Sequence, residues 1–218
     1  MLLDDFSELE KTRLEKIHRM RDEGIEPYPT RSAKSMNNAD AVKAFESAEA
    51  EGKAEVPDVV LAGRIRAIRN MGKLCFAHIE DSSGKIQLFL RINELGEEKL
   101  NSFVRDFDLG DFIEASGALT RTRRGEITLM VHDFKMLAKA LYQLPADKDQ
   151  VVDGETVRHA VLSDPETRYR QRYVDLAVNP DVREIFKARA KIVDTVRTYL
   201  DERDYIEVET PILQPIYG

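Results

Sequence analysis

Three short stretches of the chain alternate apolar with other side chains, and their off-phase positions gather groups that can contact a polar ligand. Cys75, Ala77 and Ile79 alternate with Phe76 and His78. Ile86, Leu88, Leu90 and Ile92 alternate with Gln87, Phe89 and Arg91. Ile127, Leu129 and Val131 alternate with Glu126, Thr128, Met130 and His132. Successive strand residues point to opposite faces, so if the apolar set is buried, the second set shares the exterior. A ring, an amide, a carboxylate and arginines on one open face suit an unpaired nucleic-acid strand. Rings stack on splayed bases, Gln and Glu bond base edges, and Arg meets phosphate. The competing reading packs Phe76 and Phe89 under the helices of residues 1–58.

Other chemistries find little support. The four histidines (His18, His78, His132, His159) are scattered, and Cys75 is the single cysteine, which excludes an internal disulfide and a Cys-rich zinc cluster. No metal site is expected. There is no GxSxG, GxxxxGK[ST] or GxGxxG. Adjacent acids such as Glu97-Glu98 and Asp201-Glu202 read as solvated helix faces, so no catalytic residue is assigned. The formal net charge is −7, yet basic residues cluster at Arg64, Arg66, Arg69 and Lys73 and at Arg121, Arg123 and Arg124. A local basic patch on an acidic protein can meet phosphate, or can be ordinary solvated surface. No apolar run reaches membrane-spanning length, and acidic Asp4, Asp5 and Glu8 stand where a signal peptide is basic. A soluble, cytoplasmic protein without a membrane partner is expected.

The elements that must position these residues follow from periodicity. Residues 5–23 read as a helix with Phe6, Leu9, Leu14, Ile17 and Met20 as its apolar set, closed by Gly24 before Pro27 and Pro29. A second helix covers 39–51. From Val59 the period becomes two, with Val59, Leu61, Ile65 and Ala67 inward and Val60, Ala62, Arg64 and Arg66 outward. After the strands around Ala77 and Leu88, separated by the turn Asp81-Ser82-Ser83-Gly84, residues 94–104 read as one helix with Leu95, Leu100, Phe103 and Val104 apolar. Two strands follow, one carrying Ile113, Ala115, Gly117 and Leu119, the other Ile127, Leu129 and Val131. Three strands, a helix and two strands is the order of the oligonucleotide-binding (OB) fold, a five-stranded Greek-key barrel that binds on strands 2 and 3. A connector with no sustained period runs from about Ala138 to Arg168. Asn179-Pro180-Asp181 then starts a helix over 181–203, striped with Val182, Ile185, Phe186, Ile192, Val193, Val196 and Leu200, followed by a strand from Tyr205 to Thr210.

Several strings resemble one family. Met71-Gly72-Lys73-Leu74-Cys75-Phe76, Ile79-Glu80-Asp81, Gly84-Lys85-Ile86-Gln87-Leu88, Asp108-Leu109-Gly110-Asp111 and Gly125-Glu126 resemble the anticodon-binding barrel of bacterial-type class II lysyl-tRNA synthetases. Arg168-Tyr169-Arg170-Gln171-Arg172-Tyr173-Val174-Asp175-Leu176 is the most family-specific string. Helix 181–203 with Val208-Glu209-Thr210-Pro211 resembles motif 1, and Arg21 to Pro29 resembles the end of the N-terminal helix. The resemblance implies an N-terminal helical extension (1–58), an OB-fold anticodon domain (59–138), a linker (139–176) and the start of an antiparallel α+β class II catalytic domain (177–218).

It also implies roles. Phe76 stacks on an anticodon uridine, Gln87 and Glu126 read base edges, and Arg69 is a nearby contact, although simple alternation turns Arg69 inward. Ile185, Val193, Val196 and Pro211 fall on the motif 1 homodimer interface. The whole enzyme would join lysine to tRNA-Lys using ATP and Mg2+, through motifs expected beyond Gly218. The 218 residues alone are expected to bind tRNA, hold no cofactor and activate nothing. The aspartate or asparagine branch of the class, or a stand-alone OB-fold nucleic-acid-binding module, are the alternatives.

Overall fold

The computed structural model describes residues 6–145, 148–152, 155–159 and 162–213, which divide between two units, Met1–Gln143 and Leu144–Gly218. The first unit opens on a reciprocal capping box. The Ser7 hydroxyl accepts from the Glu10 N–H at 3.4 Å, while the Glu10 carboxylate accepts from the Ser7 N–H at 2.7 Å. Helix α1 (Glu8–Asp22) follows, and Gly24, at φ +76, turns the chain out of it as expected. Ile17 and Met20 are buried, but Leu9 is 44% exposed, contrary to the expected stripe. Cations do much of the holding instead. Buried Arg13 donates to the Ala140 carbonyl at 2.7 Å and the Leu109 carbonyl at 3.0 Å, and Lys16 and Arg19 meet Asp108 and Asp106.

Beneath them lies a buried ion cluster. The Lys139 ammonium is fully buried, 2.6 Å from Asp111, 2.5 Å from Asp108 and 2.7 Å from the Asp106 carbonyl. Burial pushes the Asp111 carboxyl up against the pull of Lys139. At Asp108 burial acts the same way but is outweighed by Lys139 and Lys16, and its pKa falls.

Helix α2 (Asn38–Ala50) buries Ala41, Phe45 and Ala48. Its N-cap residue, Asn37, makes no side-chain capping bond. Asp81, in the turn between strands β2 (Leu74–Glu80) and β3 (Lys85–Arg91), accepts from the Asn38 N–H at 3.0 Å instead. Burial pushes the Asp81 carboxyl up, but Lys34 at 2.7 Å, the Ser83 hydroxyl and the backbone N–H groups of Asn38 and Ser83 outweigh it. They hold the carboxyl well below the usual carboxylate range. A depressed folded pKa stabilises above the unfolded value near 3.9, and that contribution is lost as pH falls below it. Acid unfolding followed by circular dichroism should therefore show Asp81→Asn losing less stability than the parent between about pH 4 and pH 2. Equal acid sensitivity would mean that Asp81 is not what ties α2 to the barrel.

The barrel closes in the order β1-β2-β3-β5-β4, with β1 (Glu55–Asn70), β4 (Phe112–Arg121) and β5 (Ile127–Ala138). All neighbouring pairs are antiparallel except β3 and β5, which is the OB-fold arrangement expected. Leu61, Ile65, Cys75, Ile79, Leu88 and Leu129 fill the interior. Burial pushes the Cys75 thiol up to about 11. β1 starts earlier than Val59, because a register shift between Val56 and Val59 accommodates Pro57 and Asp58 (φ 56). The expected single helix over 94–104 is two, α3 (Ile92–Leu95) and α4 (Glu97–Asp106), parted by Gly96 at φ +79. Leu95, Leu100 and Phe103 are buried, whereas Val104 is 40% exposed.

Two further irregularities matter below. β1 slips register between Ile65 and Ala67, and the β4–β5 pairing slips between Ser116 and Gly117. At Gly117 the partner strand comes so close that a Cβ would lie 1.8 Å from the Met130 carbonyl oxygen.

In the second unit, the stretch expected as connector holds β6 (Lys148–Val152) paired antiparallel with β7 (Glu155–His159), then α5 (Pro165–Arg170) and α6 (Arg172–Val178). Such short elements leave no long period to read. Asp164 caps α5, and Asp175 is fully buried between Arg168 at 3.0 Å, Arg172 and Asn179 at 2.7 Å. Helix α7 (Pro180–Asp201) begins with Pro at its first turn, as expected. The Asn179 side chain, however, is spent on Asp175 and does not cap α7. Tyr205 to Thr210 pairs with no strand among the described residues, so the strand expected there is absent. A strand needs a neighbour for its ladder.

Candidate nucleic-acid interface

Strand register arranges the outward side chains of the barrel in two rungs. One runs Arg69–Phe76–Phe89–Met130 across β1, β2, β3 and β5. The other runs Ala67–His78–Gln87–Thr128 across the same strands. Cross-strand partners share a face, so each rung is one row on the side away from the apolar core. The second row is not open throughout: against the exterior expected for both, Thr128 is fully buried and Gln87 is only 8% exposed, their polar ends taken up by each other and by Glu126.

The place of Arg69 corrects the alternation reading. Unbroken period two would put Ala67 and Arg69 inside with Ile65. The extra residue at the register shift reverses the phase of β1, so that Ala67 and Arg69 are exposed and Ile68 turns to the core. Arg69 thus stands opposite Phe76 on the same face.

In the first rung Phe76 and Phe89 stack on each other, with centroids 4.6 Å apart and planes 6° from parallel. Both rings are half-buried and lie outside the buried core cluster. The Arg91 guanidinium lies 5.9 Å from the Phe89 centroid while bonding Glu94 at 2.6 Å. The second rung is a hydrogen-bond chain. The Thr128 hydroxyl donates to Gln87 Oε1 at 3.0 Å, and Gln87 Nε2 donates to Glu126 Oε2 at 2.7 Å. His78 Nε2 lies 3.0 Å from Glu126 Oε1. Glu126, two residues before Thr128, meets Gln87 and His78, and Arg69 stands opposite Phe76 on the adjoining rung.

Sequence reasoning placed His78 and Thr128 on this exterior but assigned them no part. The parity that found Gln87 also marks them, and only the distances show that Thr128 holds Gln87 and His78 holds Glu126. The two basic clusters divide. Arg64 bonds the Gly110 carbonyl and lies over Phe112, Arg66 meets Glu80 at 3.0 Å, and Arg121 is paired with Glu49 at 2.6 Å. Arg69, Lys73, Arg123 and Arg124 are exposed. Among the described residues no group of three or more His, Cys, Asp or Glu could hold a metal ion.

The residues expected at a subunit interface lie on the other unit. Ile185, Val193 and Val196 are 67%, 42% and 53% exposed along α7, Pro211 is exposed beyond it, and Val182 alone of the stripe is buried.

The comparisons with known proteins agree with this geometry. Residues 59–137 match the model of the OB-fold nucleic acid binding domain of tRNA anticodon recognition, and residues 164–218 match that of the class II tRNA synthetases (D, K and N). The chain is 44% identical to the lysine–tRNA ligase of Roseiflexus sp. (strain RS-1), over 98% of this chain and 41% of the relative. It is 41% identical to that of Clostridium novyi (strain NT), over 98% of this chain and 39% of the relative. For the lysine–tRNA ligase of Christiangramia forsetii the figures are 43%, 99% and 37%. The chain therefore spans about two-fifths of the length of the curated relatives it matches. An OB barrel with an aromatic and amide–carboxylate outer face, followed collinearly by a match to the class II tRNA synthetases (D, K and N), makes the chain similar over nearly its whole length to part of the lysine–tRNA ligases.

Proposed function

We propose that the outer face of β2, β3 and β5 reads an anticodon base of tRNA-Lys, as part of a lysine–tRNA ligase. The carrying observation is the adjacency of the two rungs, a stacked aromatic pair beside a Gln–Glu pair. A splayed base laid on Phe76 would bring its edge to Gln87 and Glu126, the arrangement by which proteins read unpaired RNA. Gln87 keeps one amide hydrogen to donate and Glu126 keeps lone pairs to accept, so the pair complements a base edge with a carbonyl beside an N–H, as in uridine. Exposed Arg69, Lys73, Arg123 and Arg124 supply cations for the phosphates.

Attachment of lysine, with ATP and Mg2+, is proposed for the family member as a whole in the cytoplasm, and no residue of these 218 is assigned to lysine, ATP or metal. No described helix is long and apolar enough to cross a membrane. The exposed apolar stripe of α7 is proposed to pair with the same stripe of a second copy about a two-fold axis. A contiguous apolar patch of this kind drives association. Sedimentation at micromolar concentration should show self-association, and a clean monomer would count against that face as the interface.

Binding to a stem-loop with a uridine-rich anticodon tests the main reading. Affinity should fall steeply with salt as phosphate contacts release counterions, and salt-independent binding would oppose it. Phe76→Ala should weaken binding by about 1–3 kcal/mol through loss of a stacking platform. Its unfolding free energy should fall by only about 1 kcal/mol, the scale of one aromatic pair. A fall of about 3 kcal/mol or more would mark the ring as core rather than platform.

A further inference from the structure

We propose that His78 is a positioning residue for base discrimination, holding the Glu126 carboxylate in the orientation that reads the base; this rests on the anticodon reading above. The argument is geometric. Glu126 is a half-exposed side chain at the mouth of β5, and alone it would sample several rotamers in water. Two contacts restrict it. Gln87 Nε2 takes Oε2 at 2.7 Å and His78 Nε2 takes Oε1 at 3.0 Å, so both carboxylate oxygens are fixed from two different strands.

The opposite end of the chain is fixed as well. A carboxylate only accepts, so Gln87 must present its NH2 to Glu126, and the Thr128 hydroxyl at 3.0 Å takes the carbonyl end of the same amide. The order Thr128–Gln87–Glu126–His78 therefore has one consistent direction of donation. His78 is its terminal donor, carrying hydrogen on Nε2 whether the ring is neutral or charged. What remains unspent is one amide hydrogen of the largely buried Gln87, beside the lone pairs of the half-exposed Glu126 carboxylate. A uracil edge satisfies that pattern. A cytosine edge reverses it, presenting a ring acceptor and an exocyclic donor. Without His78 the carboxylate is tethered at one oxygen only and can turn away, so the acceptor that rejects cytosine is no longer held in place. The ring itself contributes by orientation, since its nitrogen is spent on Glu126.

The test measures a preference rather than an affinity. Two anticodon stem-loops, identical except for U or C at the central position, are titrated against the full chain and its variants. In His78→Leu the U-over-C preference should fall roughly tenfold, the scale of one hydrogen bond to a charged acceptor. His78→Gln, whose amide can still donate to Glu126, should recover most of it. A double-mutant cycle with Glu126→Gln adds a readout independent of how well either variant folds. Once Glu126 is replaced, the histidine substitution should change the preference no further. A residue with only a structural role would weaken both stem-loops alike and leave the ratio intact. An unchanged ratio in His78→Leu, or effects of His78 and Glu126 that simply add, would overturn the proposal. A parent chain that binds neither stem-loop would instead overturn the anticodon reading on which it rests.

Discussion

Lys139→Ala is expected to lower the unfolding free energy of the barrel unit by about 3–5 kcal/mol, the cost of breaking a buried ion pair from one side. The ammonium is fully buried, and it satisfies Asp111, Asp108 and the Asp106 carbonyl together. Asp108 would keep Lys16 at 2.8 Å, but Asp111, itself fully buried, would be left with backbone donors and no cation. Urea unfolding followed by far-UV circular dichroism gives the difference. Its pH dependence gives the mechanism. Burial already raises the Asp111 pKa, and removing the opposing pull of Lys139 raises it further. A carboxyl with a raised folded pKa favours the fold at low pH and loses that contribution as pH rises. The deficit of the variant should therefore shrink as pH falls from neutrality towards the carboxylate range. Adding Asp111→Leu to Lys139→Met should recover much of the loss, because the apolar pair leaves no buried charge behind. A deficit independent of pH, unrelieved by the second change, would mean that Lys139 acts by packing alone.

Gly117→Ala is expected to cost about 3 kcal/mol or more, the severe end of overpacking, because the obstruction is backbone and cannot swing aside. The new Cβ would meet the Met130 carbonyl oxygen at 1.8 Å and the Met130 carbonyl carbon at 2.8 Å. Relief requires prising β5 from β4 at the register shift, next to the Phe89–Met130 end of the aromatic rung. Stability and stem-loop affinity should fall together. Gly84→Ala is the control: nothing lies within 4 Å of its Cβ position. Its unfolding free energy should stay within about 1 kcal/mol of the parent. If Gly117→Ala were equally mild, the close approach of the two strands would be wrong.

The barrel was legible where side-chain alternation ran unbroken. β2 carries its buried set as read, and β3 buries Ile86, Leu88 and Leu90 as read but Gln87 as well, because its amide is held by Thr128 and Glu126. Alternation failed at β1, because an inserted residue changes the phase without changing the composition, and the Ile65–Ala67 stretch carries no glycine to announce it. It failed again at Gly96, where a helical pattern of contacts survives a break in the helix itself. The ion cluster around Lys139 was invisible for a different reason. Lys16, Asp108, Asp111 and Lys139 are scattered along the chain and each resembles a surface residue until folding joins them. The Glu126 contacts of His78 were hidden in the same way, 48 positions away in sequence but on the neighbouring rung. On α7, propensity and pattern sufficed for the helix, whereas Tyr205 to Thr210 had strand-forming residues and, among the described residues, no strand paired with them.

The inserted residue in β1 gives one strand two separate duties. Before Arg66 the odd-numbered positions Val59, Leu61 and Ile65 face the barrel interior; after it the odd-numbered positions Ala67 and Arg69 face outward and Ile68 faces in. The first half of the strand is therefore free to vary in step with the core, and the second half in step with the open face. Shortening β1 by one residue there would merge the two halves, driving the Arg69 guanidinium towards the apolar interior and Ile68 into water. Length, and not only residue type, is thus a heritable constraint at this point of the chain, and a single-codon deletion would do more harm here than most substitutions on either side of it.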